Sequence, residues 1–241
     1  MLKTLGFVVS TTVLLSACGQ GKAPQNSESK AIVSSAQAEE AFEIVKSIDY
    51  IPFNYIVDGC YARSLYMSME LAAQGIPSSA HYIYGYLLPT DDVSWSYHVA
   101  PLLKISGQEA WILDPAFEVE PLRLSAWIKK NNSQGRYSTE VKAGSAYFDQ
   151  TGRTSEFDAS HLIQNFQEMP TFLTSDIASA CTTMYNYIPE QNQSSAQSRA
   201  QRAKLLTQTQ VLVGALDELG KLENDGGSFD ANSACERAVG L

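Results

Sequence analysis

Three short segments carry the residues that could do chemistry. Cys60 lies in Asp58-Gly59-Cys60-Tyr61-Ala62-Arg63, His98 in Trp95-Ser96-Tyr97-His98-Val99-Ala100-Pro101, and Asp114 in Trp111-Ile112-Leu113-Asp114-Pro115. A thiol, an imidazole and a carboxylate are the parts of a Cys-His-Asp acyl-transfer site. The sulfur attacks a carbonyl carbon, the imidazole takes and returns a proton, and the carboxylate fixes the ring. Each residue also has a plainer reading. Cys60 can be core packing, His98 a solvent-facing strand residue, and Asp114 the first half of an Asp-Pro turn.

The setting of Cys60 suits the chemical reading and the packing reading equally. A turn at Gly59 gives way to a helix-like run, so the thiol sits where backbone N–H groups are unsatisfied and the helix dipole is positive. Both favour negative charge on sulfur. Arg63, one turn on, adds to that field if it points inward. Gly59 permits a sharp turn and leaves room for a substrate carbonyl, and the Cys60 N–H is an oxyanion donor candidate. Asp58 opposes negative charge on sulfur, or caps the helix. Trp95, Ser96 and Tyr97 beside His98 are candidates for the pocket wall that excludes water.

The chain has three histidines, His81, His98 and His161, so the base comes from these. A three-residue link at Ser106-Gly107-Gln108 makes a hairpin in which Ile105 faces Glu109 and Ala100 faces Asp114. His98 is then one diagonal step from Asp114 on the same face, about 7 Å between Cα atoms, which side chains close. A two-residue link would turn the pair to opposite faces. His81 and His161 stay open as alternative bases.

The surrounding pattern supplies the scaffold. Apolar spacing predicts helices over 35–48 and 60–74, the second stopped by Gly75 and Pro77. Met67 and Met69 read as core filler. Aromatic and β-branched runs predict strands over 80–88, 96–105 and 109–113, with Pro89-Thr90-Asp91-Asp92 as a turn. Pro101 points to an edge position or a bulge. A short helix over 122–130, a polar loop over 131–139 and a short strand at Tyr147-Phe148 follow. Beyond residue 170, helices are expected over 176–187 and 200–222, with 191–198 a linker or the polar start of the second. The apolar stripe through Leu205, Leu212, Val213, Leu216 and Leu219 reads as a face buried on the core.

The chain has 241 residues and a net charge of −9. No basic patch stands out, so nucleic acid is not an expected partner. Lys3 followed by the apolar stretch 5–15 has the length of a signal peptide, too short to span a bilayer. Leu15-Ser16-Ala17-Cys18 has the form of a bacterial lipobox, with Cys18 as the lipidated residue. Residues 19–34 read as a flexible tether, which places the protein in a bacterial cell envelope, on the periplasmic or outer-membrane face. With Cys18 lipidated and Cys60 free, Cys181 and Cys235 are left as a possible disulfide. No Cys-x-x-Cys or His-x-x-x-His spacing suggests a metal.

Val57-Asp58-Gly59-Cys60-Tyr61-Ala62-Arg63, Tyr84-Gly85, Trp95-Ser96-Tyr97-His98-Val99-Ala100 and Ile112-Leu113-Asp114-Pro115 closely resemble the protein-glutaminase family, over about residues 52–127. The resemblance implies an α+β fold with a papain/transglutaminase-like Cys-His-Asp core, a nucleophile helix packed on an antiparallel sheet. It implies Cys60 as nucleophile, His98 as base and acid, and Asp114 as orienter. It also implies hydrolysis of glutamine side chains in proteins or peptides with release of ammonia, and neither metal nor organic cofactor. The catalytic domain is placed at 35–170, and the C-terminal helical extension at 171–241 lies outside the resemblance. The same triad could pass an acyl group to an amine or cleave a backbone amide. A non-catalytic envelope lipoprotein, binding a partner through its tail helix, is the reading from a different class.

Overall fold

The apolar spacing near residue 40 folds as α1, Ser35–Lys46, which opens with a reciprocal cap: Gln37 N–H donates to the Ser34 hydroxyl, and Ser34 N–H donates to the Gln37 side chain. The computed structural model describes residues 33–90, 93–132, 135–147 and 169–236. The signal peptide, Cys18, most of the tether, Asp91 and Asp92, Phe148 and His161 lie outside the described residues.

The second helix, α2 (Cys60–Ala73), is the axis of the molecule. Twelve of its fourteen residues are buried, so it is surrounded rather than amphipathic. Burying side chains such as Leu65, Tyr66, Met69 and Leu71 contributes roughly 1.5–3 kcal/mol each. Gly75, with φ +75, and then Pro77 follow its end.

One side of α2 meets a five-stranded sheet of β1 (Ser79–Thr90), β2 (Val93–Leu103), β3 (Trp111–Ile112), β4 (Leu122–Arg123) and β5 (Tyr137–Ala143), in the order β4-β3-β2-β1-β5 with every pair antiparallel. The β2–β3 ladder is short, but its register is the one that a three-residue link sets: Leu102 faces Ile112 and Leu103 faces Trp111. Alternation then sorts the sheet. Ala80, Tyr82 and Val99 join the core around α2, whereas Ile83, Ala100, Leu102 and Ile112 join Trp127 from α3 (Leu124–Asn131) on the opposite face.

Three expectations change here. β5 begins at Tyr137, inside the stretch 131–139 read as a loop. Tyr137, Thr139 and Val141 alternate with Ser138, Glu140 and Lys142, but this edge strand pairs only with β1 and keeps much of its surface wet, so its apolar signal is weak. Tyr147 is not in a strand. Pro101 sits in an interior strand without a bulge. Its carbonyl accepts from Leu113 N–H on the β3 side, so the nitrogen that cannot donate also faces that side, just past the end of the β3 ladder.

The chain beyond residue 170 adds β6 (Phe172–Leu173), α4 (Thr174–Tyr187), a 3-10 turn at Ile188–Glu190, α5 (Ser195–Glu218), β7 (Leu222–Glu223) and α6 (Ala231–Glu236); β6 and β7 pair in parallel. Ile177, Cys181 and Met184 of α4 and Leu205, Leu212 and Leu216 of α5 share one buried cluster with α2. The buried hydroxyls of Tyr66 on α2 and Thr209 on α5 hydrogen-bond at 2.6 Å. A disulfide joins Cys181 of α4 to Cys235 of α6.

Candidate active site

Cys60 is the first residue of α2 and is 6% exposed. Gly59 before it has φ +85, a left-handed conformation that a side chain disfavours. A Cβ there would lie 3.0 Å from the Tyr187 ring and 3.1 Å from Met184 Cε. The space beside Gly59 is thus filled by α4 and is not open to a substrate carbonyl, as the sequence had suggested. Asp58 does not cap the helix through its later N–H groups. Its Oδ1 accepts Gly59 N–H at 2.6 Å and its Oδ2 accepts the Tyr187 hydroxyl at 2.7 Å.

His98 is 1% and Asp114 3% exposed. His98 Nε2 and Asp114 Oδ2 are 2.8 Å apart, and the Trp127 indole N–H donates to the same oxygen at 2.9 Å. The imidazole is stacked between two indoles, Trp95 at 4.7 Å and Trp127 at 5.4 Å between centroids, with Phe117 edge-on at 5.6 Å. Trp95 in turn donates to the Val57 carbonyl at 3.2 Å, which ties the approach to Cys60 against β2.

The electrostatics follow from this enclosure. Burial pushes His98 toward the neutral form, and the Asp114 carboxylate, acting as charge and hydrogen-bond partner, opposes it. With a further contribution from Cys60, the ring is raised to about 9. Burial opposes ionisation of Asp114, yet His98, Trp127 and Arg63 hold its carboxyl below the ordinary value. With Nε2 on Asp114, Nδ1 is the nitrogen left for Cys60. Nδ1 is buried without a closed hydrogen bond, so thiol and ring interact through a contact looser than a full bond, as is common without substrate.

A pocket of about 190 Å³ opens beside the sulfur, lined by Val57, Asp58, Cys60, Arg63, Ser94, Trp95, Ser96 and Tyr97. Trp95, Ser96 and Tyr97 are therefore on its wall, and Gly59 is not. Burial, then the neighbouring Cys60, Tyr61 and Asp58, raise the Tyr97 phenol well above its usual range, so its hydroxyl keeps its proton. Larger recesses elsewhere, among them one between residues 48–54 and α5 and one beside α1, contain none of these groups.

His81 is buried on the Trp127 side of the sheet with both ring nitrogens unpartnered, and burial lowers it to about 4. It shares no hydrogen bond with Cys60 or Asp114. Sequence reasoning missed Trp127 and Tyr187. The signal for Trp127 was a tryptophan at an apolar position of a short helix just after Asp114; nothing in the sequence tied Tyr187 to residues 58–59. Among the described residues no group of three or more His, Cys, Asp or Glu side chains is placed to hold a metal ion.

Known proteins share part of this sequence. A family described as Glutaminase matches residues 37–131, a span that contains Cys60, His98, Asp114 and Trp127. No curated protein matches. A crystal structure of protein-glutaminase shares 30% sequence identity, covering 57% of this chain and 85% of that one. The NMR structure of protein-glutaminase from Chryseobacterium proteolyticum also shares 30%, covering 56% and 84%. A crystal structure of pro-protein-glutaminase shares 28%, covering 61% and 60%. The TM-score is 0.45 in each case, so the kinship is carried by identity in sequence. On the identity across 85% of the first of these, together with the family match over the site, this chain belongs to the protein-glutaminase family.

Proposed function

We propose that the protein hydrolyses the side-chain carboxamide of glutamine in proteins or peptides, giving glutamate and ammonia through a Cys60 thioester. The observation that carries the reading is the His98–Asp114 pair, buried at 2.8 Å, with the second ring nitrogen left for the thiol at the start of α2. In this reading His98 takes the thiol proton through Nδ1, and Asp114 stabilises the imidazolium. The sulfur adds to the amide carbon, and the carbon–nitrogen bond breaks as His98 returns the proton to the departing ammonia. Water then adds to the thioester as His98 removes its proton, and the sulfur leaves with that proton restored. The helix packed on an antiparallel sheet, with its thiol facing a strand histidine, supports a papain- or transglutaminase-like layout for this core.

The test uses the purified full chain and a glutamine-containing protein, following ammonia release and conversion of glutamine to glutamate by peptide mass. Wild type releases ammonia and Cys60→Ala does not. Ammonia release by Cys60→Ala would overturn the thioester route. Backbone cleavage without ammonia would mark a peptidase, and cross-linking to an added amine would mark a transglutaminase.

Export and lipid anchoring are a separate proposal, supported by the apolar stretch 5–15 and Leu15-Ser16-Ala17-Cys18. Radiolabelled palmitate should enter the wild-type protein in a bacterial host and fail to enter Cys18→Ser. Equal labelling of both would remove the anchor.

A further inference from the structure

Arg63 is three residues beyond Cys60 and on the same face of α2. It is 2% exposed and lines the pocket beside the thiol. Its Nη1 donates to the carbonyls of Tyr55 at 2.7 Å and Asp58 at 2.9 Å, which fixes the guanidinium plane. Nη2 is buried and donates to nothing, the Cys60 sulfur included. Leaving a buried donor of a cation unpaired carries the full desolvation penalty of that group with no hydrogen bond to offset it. Folded proteins keep such a group chiefly where something else completes it.

The charges that face Arg63 show what is missing. Burial disfavours its charged form, and Cys60 comes before Asp114, Asp58 and Tyr187 among the groups that oppose this. Asp114 is committed to His98 and Trp127. Asp58 has one oxygen on Gly59 N–H and the other on Tyr187. The cation is thus fixed beside the reacting sulfur, with its nearby carboxylates already occupied. The first N–H groups of α2 add positive potential at the same place.

We propose that Arg63 and the first turn of α2 form an anion seat beside Cys60, which takes the negative oxygen of the tetrahedral intermediate and then the side-chain carboxylate of the glutamate product. The inference rests on Cys60 being the nucleophile. It makes the site discriminate by charge: a glutamine side chain binds as a neutral amide, whereas its product leaves a carboxylate against a guanidinium. Glutamate side chains then inhibit, and Arg63 is the residue through which they do so.

The test reads Cys60 directly and needs no turnover. Alkylation of Cys60 in the full chain by iodoacetate and by iodoacetamide is followed by peptide mass in wild type, Arg63→Met and Arg63→Lys. The iodoacetate-to-iodoacetamide rate ratio should fall about tenfold or more in Arg63→Met, because a unit charge a few ångströms away outweighs solvent screening in a buried site, and should largely persist in Arg63→Lys. In wild type, N-acetyl-glutamate methylamide should slow iodoacetamide alkylation, and the uncharged norvaline analogue should not. An unchanged ratio in Arg63→Met overturns the proposal. If that variant does not fold, equal protection of wild type by the two analogues, or none by either, overturns it. These outcomes are independent of the ammonia assay: a failed seat leaves the activity standing, and an active Cys60→Ala removes the Cys60 thioester route without altering alkylation of wild type.

Discussion

Trp127 and Asp114 share a hydrogen bond at 2.9 Å in which the indole N–H donates to the carboxylate oxygen that also faces His98 Nε2. The indole therefore does two things. It holds the carboxylate in place, and its ring stacks on the imidazole. Trp127→Phe keeps an aromatic face and removes the donor. It should cost about 1–3 kcal/mol of stability, the usual cost of stripping a partner from a buried charged acceptor. The turnover number should fall while KM changes little. Chemical denaturation and steady-state kinetics on the one variant check both.

Asp114→Asn removes the charge that holds the His98 ring protonated and puts an amide where an acceptor is needed. The turnover number should fall on the order of 10⁴-fold, the scale seen when the orienting carboxylate of such triads is neutralised. The alkaline limb of the rate profile should move to lower pH, since the cause of the raised ring is gone. A limb left unmoved would show that another group sets it.

The same pair gives stability a pH signature. His98 is raised from 6.5 to about 9, so its contribution is complete below pH 6.5 and is lost as pH rises through about 9. Asp114 is lowered from 3.8, so its contribution is complete above pH 3.8 and is lost as pH falls through the lowered value. The unfolding free energy of wild type minus that of Asp114→Asn should be largest between pH 3.8 and 6.5 and shrink toward about 9. Urea melts across that range measure it.

Gly59→Ala forces a Cβ into a φ of +85 and to within 3.0 Å of Tyr187. The backbone conformation alone costs about 1–3 kcal/mol, and the ring must move off Asp58. Thermal denaturation should show the loss. Tyr187→Phe is the milder companion: it removes only the hydroxyl that donates to Asp58 and should cost about 1 kcal/mol.

Reducing the Cys181–Cys235 bond opens a loop with a sequence separation of 54. Chain entropy assigns such a cross-link about 4 kcal/mol. Reductant should lower the melting temperature, and activity at temperatures well below the melt should survive, because α4 still packs through Ile177, Met184 and its contacts with α2.

Much of the site was legible because its signals are local. The spacing of apolar residues marked α1 and α2, and the length of the Ser106-Gly107-Gln108 link gave the register that pairs Leu102 with Ile112 and Leu103 with Trp111. Gly59 was read for its freedom to turn, and φ +85 bears that out, but the occupant of the space beside it was invisible. Tyr187 comes from a helix far along the chain, and only the packed fold brings it to Asp58. β5 was missed because an edge strand carries half the usual apolar pattern, and α6 because six residues hold too few turns to show a period. Trp127 looked like any aromatic in a short helix, and its second role depends on where one nitrogen points.

The burial of α2 sets an order of events during synthesis. The helix that presents Cys60 is enclosed by α4 and α5, and Gly59 rests against Tyr187 and Met184. Cys60, His98, Asp114 and the pocket wall at 94–97 have all been translated by Asp114, yet the helices that pack on α2 are still to come. A nascent chain stalled near residue 131 would hold the whole of the matched family segment and still lack the helices that pack around the start of α2. The seating of Cys60 therefore depends on chain made last, because α4 and α5 complete the core that holds α2.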